Sequence, residues 1–211
     1  MILDRLETLS AISFLEPAIP KKADSGRNCI FIRVDEDKLI LTAGNEYVVK
    51  KAILIAQNTT EGAGGKAQGR KLPDRFMIPR PELLAFKKLM EEDKAECKKL
   101  AKNDPSHLFV EIDDKELISF KGKIDYEQPT FLFKELEPVF SITKSSVDEM
   151  PLMSGDARAA LKGFLDSQPV EVSFTGYKNP VHFEQGDFEA LLIPPVEKEG
   201  EDGQKTINDE E

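Results

Sequence analysis

The residues whose type and spacing could do chemistry in this sequence are lysines between positions 81 and 102. Lys94, Lys98 and Lys102 recur at intervals of four, which places them in one row if the segment is helical. Like charges at this spacing destabilise an isolated helix by roughly a few tenths of a kcal/mol. The row has two interpretations that stay open here: contact with the phosphates of a nucleic acid, or an ordinary solvated helix surface.

The flanks of this predicted helix, from about residue 81 to residue 102, differ in charge. Apolar side chains fall on one stripe that would pack on a sheet: Leu83, Phe86, Met90, Cys97 and Leu100. Lysines occupy one flank, and the acids Glu82, Glu92, Asp93 and Glu96 occupy the other. A shorter predicted helix at about 154–165 repeats the outward basic row with two residues four apart. The candidate DNA-contacting residues are Lys87, Lys88, Lys94, Lys98, Lys99, Lys102, Arg158 and Lys162.

Basic rows of this kind fit contact with the phosphate backbone, which is sensitive to salt and independent of base sequence. No aromatic residues alternate with the lysines, as they do on platforms that stack single-stranded bases. The net charge of −10 argues against a protein whose whole surface binds nucleic acid. Half of that charge lies after Val196, where seven acids and two lysines form a tail predicted to be disordered. We therefore expect the surface charge to be divided, basic on the helix side and acidic elsewhere, so that any contact with phosphates is confined to the helix side.

The sequence contains none of the constellations that carry out common enzymatic reactions. It has no Gly-x-Ser-x-Gly elbow, no His-Glu-x-x-His motif and no dinucleotide-binding fingerprint. The glycine-rich stretch at 57–71 lacks the spacing and the Ser/Thr of a phosphate-binding loop and is predicted to be a linker. Its two cysteines and two histidines lack zinc-ligand spacing. We predict a protein that is not an enzyme and that uses neither a metal nor a cofactor.

Length and composition are those of an ordinary globular protein. A chain of 211 residues is long enough for one large or two small domains with a core. No apolar run approaches the ~20 residues that cross a membrane. Asp4, Arg5 and Glu7 interrupt the N-terminal segment where a secretory signal is apolar. A cytoplasmic location, without membrane contact, and buried free thiols at Cys29 and Cys97 are expected.

The order of predicted elements repeats a β-α-β-β-β unit. The central copy has a strand at 76–78, the lysine-bearing helix, and strands at 107–112, 116–121 and 129–133. The first copy has a helix at 2–16 and strands at 29–34, 38–42 and 46–55, without an obvious opening strand. The third copy has a strand candidate at 139–143, the short helix, and strands at 169–174, 180–183 and 188–193. The predicted fold class is α+β, with helices on one face of antiparallel sheets.

The units define the expected domains. We predict a domain of two units at 1–136, with a linker at about 57–73. Residues 137–196 form a third unit or a partial second domain, and residues 197–211 form the acidic tail.

Four segments are similar to parts of one known family. Phe14-Leu-Glu-Pro-Ala-Ile-Pro-Lys-Lys and Cys29-Ile-Phe-Ile-Arg-Val-Asp-Glu-Asp-Lys-Leu-Ile-Leu-Thr-Ala-Gly-Asn-Glu resemble the first helix end and first hairpin of the bacterial DNA sliding clamp, the β subunit of the replicative polymerase. Phe76-Met-Ile-Pro-Arg-Pro-Glu-Leu-Leu resembles a strand and helix start of that clamp. Pro180-Val-His-Phe-Glu-Gln-Gly-Asp-Phe-Glu-Ala-Leu-Leu-Ile-Pro-Pro-Val resembles its terminus. The similarity lies mainly in residues 9–55, 74–122 and 155–196.

The resemblance implies a ring that encircles duplex DNA, with helices lining the hole, and that docks a DNA polymerase or other replication proteins. It places Ile193, beside Pro194, in the partner-binding groove. A bacterial clamp has three domains and six units, whereas this sequence offers about three units. The resemblance therefore implies a homo-oligomer that closes its ring with more subunits. Such a chain would be a short viral or mobile-element version of the clamp. The alternative is a clamp-fold scaffold of replication or repair that does not encircle DNA.

Overall fold

The computed structural model of this chain describes residues 1–21, 28–57, 72–130, 140, 157–165, 167–174 and 179–194. The first unit contains β1 (Ile2–Asp4), α1 (Arg5–Leu15), β2 (Cys29–Asp35), β3 (Lys38–Gly44) and β4 (Val48–Ile55). The second contains β5 (Arg75–Pro79), α2 (Arg80–Leu100), β6 (Phe109–Ile112), β7 (Glu116–Ser119) and β8 (Gly122–Asp125). The third contains α3 (Ala157–Leu161), β9 (Glu171–Phe174), β10 (Val181–Gln185) and β11 (Phe188–Leu192). Single 3-10 turns cover Glu16–Ala18 and Pro105–Leu108.

Two antiparallel sheets hold these elements together. One has the strand order β1-β6-β7-β8, and the other has the order β5-β2-β3-β4-β11-β10-β9. The first two units exchange their opening strands, because β1 pairs with β6 and β5 pairs with β2. Pairing of β11 with β4 adds the strands of the third unit to the sheet of the first. The predicted α+β class of antiparallel sheets with helices on one face is confirmed.

The start of α1 differs from the prediction because Asp4 caps the helix. The Asp4 carboxylate accepts hydrogen bonds from the backbone N–H groups of Leu6 and Glu7 at 2.8 and 2.9 Å. These are donors that the first helical turn leaves without partners. The residues up to the cap, Ile2–Asp4, form β1 and pair with β6. The predictions of a helix from residue 2 and of a first unit without an opening strand were therefore wrong.

The second unit also differs in two places. His107 lies in a 3-10 turn rather than a strand, since Asp104 caps that turn and Pro105 begins it. The last strand is β8, which pairs with β7 across a two-residue turn, whereas the prediction placed a strand at 129–133. Residues 131–133 of that prediction, and all of the candidate strand 139–143 except Phe140, lie outside the described residues.

The hydrophobic core lies between the helices and the sheets. Leu83, Phe86, Met90 and Cys97 of the predicted α2 stripe are buried, and Leu100 is half-buried. Phe14 of α1 packs against Phe164 and Phe188, with ring centroids 4.9 and 5.0 Å apart. Each large apolar side chain buried in this way contributes about 1.5–3 kcal/mol before the entropy of ordering is counted.

A buried ion pair joins α1 to α2. The Arg5 guanidinium donates to the carboxylate of Asp93, and the Ser119 hydroxyl of β7 donates to the same carboxylate at 3.1 Å. The second donor lowers the cost of removing the charges from water. Asp93 is fully buried, so it belongs with the buried stripe and not with the acidic flank on which it was predicted to lie. The two thiols, Cys29 and Cys97, are buried and free as predicted, and burial raises the pKa of Cys29 to about 12.

Candidate nucleic-acid interface

The lysines of α2 lie along one flank and the outer side of the helix, outside the stripe that packs on the sheet. Lys88, Lys94, Lys98 and Lys99 are exposed, and Lys102 is exposed in the turn that follows the helix. Lys87 is only partly exposed. The helix therefore positions five of the six predicted lysines toward solvent on one element.

The ion pairs divide these lysines into two groups. Lys87 binds the carboxylate of Glu16 at 2.7 Å, and Lys88 lies 3.6 Å from Glu92 one turn later. Within the described part of the chain, no acidic group lies at ion-pair distance from Lys94, Lys98, Lys99 or Lys102. We call these four residues the α2 lysine row. Their charge is not compensated internally and can attract an anion.

Two lysines of the row, Lys98 and Lys99, have a structural explanation that does not involve an anion. Lys98 and Lys99 lie in the last turn, where cations are stabilised by the partial negative charge of the helix C-terminus. This effect falls off within one turn, so it does not account for Lys94. Lys94 is therefore the member of the row that a structural role explains least.

The other two helices contribute less positive charge. Lys162 is exposed just after α3, while the side chain of Arg158 lies outside the described residues. The exposed side chains of α1 are Leu6, Glu7 and Ser10, and its one cation, Arg5, is buried. Partial burial, with the nearby carboxylates of Asp4 and Asp187, raises the pKa of Glu7. The exposed surface of α2 thus carries these lysines together with the acids Glu91, Glu92 and Glu96, whereas the one exposed charge of α1 is Glu7.

The predicted partner groove lies beyond the end of β11. The backbone N–H of Ile193 donates to the carbonyl oxygen of Tyr47 at 2.7 Å, which extends the contact between β11 and β4. Ile193 and Pro194 are half-exposed, and the adjacent Tyr47 is 45% exposed. The structure thus joins the predicted pair to the backbone of an exposed tyrosine, and their role in docking stays a prediction.

A row of polar side chains lies on the face of the seven-stranded sheet away from the helices, and no sequence pattern predicted it. Its members are Ser173, His182, Glu189 and Lys51. The Nε2 atom of His182 lies 3.2 Å from Glu189, and Glu189 binds Lys51 at 2.5 Å. The Ser173 hydroxyl lies 3.5 Å from Nδ1 of His182, at the limit of a hydrogen bond, and Phe140 packs edge-on to the imidazole. The row has the order of a catalytic triad without its geometry. It was missed because only strand pairing brings these residues together.

Burial opposes ionisation of Glu189, yet hydrogen bonds from His182 and Lys51 outweigh it and lower the pKa of this carboxyl.

Among the described residues, no group of three or more His, Cys, Asp or Glu side chains is placed to hold a metal ion. None of the described helices combines the length and apolar character needed to cross a membrane.

No protein-family model matches this chain, and no curated protein matches it in sequence. Solved structures match it in fold. A DNA polymerase sliding clamp from Caulobacter crescentus superposes with a TM-score of 0.69 at 12% identity, over 92% of this chain and 65% of that one. A sliding clamp from Bacillus subtilis gives a TM-score of 0.63 at 10% identity, over 92% and 63%.

The β subunit of DNA polymerase III from Thermotoga maritima gives a TM-score of 0.54 at 13% identity, over 91% of this chain and 63% of that one. At such identities the comparison shows the fold alone. The resemblance found in the sequence is confirmed at that level: the chain has the sliding-clamp fold and spans a little less than two thirds of the length of these clamps.

Proposed function

We propose that this chain is a non-enzymatic, sliding-clamp-like processivity factor that encircles duplex DNA as a homo-oligomeric ring and docks replication proteins. The observation that carries the proposal is the α2 lysine row on a sliding-clamp fold. In this arrangement the lysines face the DNA, and the sheets face outward. The whole chain is acidic, so contact with the duplex is restricted to this row and to Lys162.

The length of the chain bears on how a ring would form. It spans 65% of the Caulobacter clamp, so one copy supplies fewer units than one clamp subunit. A ring of the same circumference therefore needs more copies than such a clamp uses. Ile193 and Pro194, beside the exposed Tyr47, are the proposed contact for a polymerase or another replication protein.

The decisive experiment compares retention on closed and open DNA. Protein assembled on nicked circular duplex is passed over a gel-filtration column that separates DNA-bound from free protein, before and after the circle is linearised. A ring stays with the circle and slides off the linear molecule. Equal retention on both forms, or none on either, contradicts the proposal.

Charge reversal tests whether the α2 lysine row contacts DNA. The triple variant Lys94→Glu/Lys98→Glu/Lys102→Glu is expected to lose retention on the circle at least tenfold, because three phosphate contacts per subunit become repulsive. The matched control is Lys21→Glu/Lys38→Glu/Lys115→Glu, which reverses the same number of exposed lysines outside the helices. If the control loses as much retention as the triple variant, net charge rather than the α2 lysine row controls binding.

A second candidate, a clamp-fold scaffold that binds a replication or repair protein without encircling DNA, is favoured by one observation. Glu7 is exposed on α1, which packs beside α2, and it would repel phosphates in a narrow hole. If the chain is a scaffold, the triple variant still captures the purified polymerase subunit of the same replication system. The variant Ile193→Asp, in contrast, abolishes this capture.

A further inference from the structure

The acids that share the surface of α2 do not neutralise the α2 lysine row. Glu92 lies 3.6 Å from Lys88, and Glu96 binds Lys121 in the turn between β7 and β8 at 2.7 Å. The third exposed acid of the helix is Glu91. Four cations that repel one another therefore remain on one side of α2, and such a surface attracts the anion with the highest local concentration.

One anion is attached to the chain itself, the acidic tail at residues 197–211. Its seven acids and two lysines carry half of the net charge of −10. The acids form two clusters, at 197–202 and at 209–211. The second cluster has three consecutive acids with no lysine among them, so its charge complements that of the row.

The second cluster can reach α2 from the point where the tail begins. The last strand, β11, ends at Leu192, and the described residues continue to Pro194. From there the segment 195–209 spans about 50 Å when it is fully extended. A compact chain of 211 residues has a radius of gyration of about 17 Å, so this reach covers the separation between most points on its surface. The first cluster begins only three residues after Pro194 and reaches much less far.

The attachment makes a weak contact effective. A single exposed ion pair contributes little to binding, and salt at 0.15 M screens charges over about 8 Å. A group on a short flexible segment, however, is present at a roughly millimolar effective concentration near the surface of its own chain. Several weak ion pairs can therefore act together without a partner molecule.

We propose that residues 209–211 of the acidic tail bind the α2 lysine row of their own chain and compete there with the phosphates of duplex DNA. The inference rests on the proposed function, in which the row faces DNA, and adds a regulation of that site. Duplex DNA carries one charge per about 1.7 Å of its axis, so a duplex held within a closed assembly displaces the tail. A free chain that meets DNA by chance keeps its tail in place, which suppresses binding outside the ring.

The contact is tested first without DNA, by zero-length cross-linking. A water-soluble carbodiimide joins carboxylates to amines that touch them, and mass spectrometry of the digested full chain identifies the pairs. Cross-links are expected between residues 209–211 and the α2 lysine row in 50 mM salt, with at least a fivefold loss in 0.5 M salt.

Two results of the cross-linking overturn the inference. The exposed lysines Lys38 and Lys115, outside the helices, are the internal controls, and equal yields at these positions show that the tail has no preferred site. Mixing isotope-labelled with unlabelled chains shows whether the joined residues belong to one copy. Cross-links found only between copies contradict binding of the tail to its own chain.

Neutralising the second cluster tests competition with DNA. The variant Asp209→Asn/Glu210→Gln/Glu211→Gln is expected to bind a short duplex with blocked ends about tenfold more tightly in 50 mM salt, as measured by fluorescence anisotropy, because several exposed ion pairs no longer compete. The gain is expected to vanish in 0.5 M salt. The matched control, Glu36→Gln/Asp37→Asn/Glu46→Gln, neutralises three exposed acids of the same types outside the helices. An equal gain in the control shows an effect of net charge and overturns the inference.

A second background ties the effect to the row. In the variant Lys94→Ala/Lys98→Ala, half of the row is removed, so neutralising the second cluster is expected to increase affinity only about threefold. A gain that stays tenfold in this background contradicts the assigned contact.

The two proposals fail in different ways. If the tail cross-links to the row and the chain is not retained on circular DNA, the contact stands and the ring does not. If no such cross-link forms and the neutralised tail leaves DNA affinity unchanged, while the natural chain slides on circular DNA, the ring stands and the tail does not regulate it.

Discussion

Lys50 shows how a single side chain connects three elements. It is fully buried on β4, with its Nζ atom 4.2 Å from the ring centroid of Phe14 on α1. The same amine donates to the carbonyl oxygen of Lys162 at 2.5 Å, just beyond α3. Burial, and next the charge of Lys162, lower the pKa of Lys50 to about 7.

This pKa predicts that stability rises with pH. The amine binds a proton less tightly in the folded chain than in the unfolded chain, whose pKa is 10.5. Between pH 7 and pH 10.5 the unfolded state therefore binds more protons, and the free energy of unfolding increases. The upper limit of the increase is several kcal/mol, measured by urea denaturation at a series of pH values.

The variant Lys50→Met isolates this contribution from other groups that titrate in the same window. It keeps the volume of the side chain and removes the amine, so it is expected to be more stable than the natural chain at pH 6. The difference shrinks as pH approaches 10. A difference that is constant from pH 6 to pH 10 contradicts the assignment.

The sequence did not distinguish Lys50 from its neighbour Lys51. The strand Val48–Ile55 has apolar residues on both faces, so alternation alone does not say which lysine points inward. Lys51 faces the opposite side of the sheet, where it binds Glu189. By contrast, the α2 lysines could be placed from the sequence, because helical spacing separates them clearly from the buried stripe.

At the scale of elements, the end of α3 depends on one glycine. Gly163 has a φ of +99°, a conformation that side-chain-bearing residues rarely adopt. A Cβ atom there would lie 2.8 Å from the Cα atom of Phe14, which is backbone of α1 and cannot move aside. Gly163 thus allows the turn after α3 to lie directly against the backbone of α1 at Phe14.

Gly163→Ala is therefore expected to destabilise the chain by about 3 kcal/mol, from backbone strain together with the steric contact. Chemical denaturation measures this loss. Gly186→Ala is the matched control, since Gly186 also has a positive φ, +58°, but has nothing within 4 Å of the added methyl group. The control is expected to lose about 1 kcal/mol. Equal losses would show that the contact with Phe14 contributes nothing.

The elements themselves were predictable to the extent that their signals are local. The β2–β3 hairpin has two apolar runs rich in β-branched residues, joined by the turn Glu36–Asp37, and it lies within a residue or two of its predicted position. The exchange of β1 and β5 between units was not predictable, because strand partners are chosen by packing between distant segments. The short β8 was missed because four residues carry too little periodicity.

At the scale of the whole molecule, the uneven charge of the helix layer predicts how DNA binding depends on salt. Each phosphate neutralised by a lysine contributes about 0.9 to the slope of log K against log salt concentration. If Lys94 and Lys98 contact phosphates, Lys94→Ala/Lys98→Ala reduces that slope by about 1.8 per subunit. Fluorescence anisotropy on a short duplex with blocked ends measures it. Glu7→Ala is the control and leaves the slope unchanged, because no phosphate contact is lost.

The pairing of β4 with β11 has a consequence for how the chain folds during synthesis. Lys50 and Lys162 are 112 residues apart, and β11 lies further along still. Contacts so distant in sequence form slowly. While the ribosome makes the intervening residues, the nascent sheet ends at an open β4, a strand rich in valine and isoleucine that can pair with other chains. We therefore expect chaperone binding to concentrate on this strand until β11 has left the ribosomal tunnel.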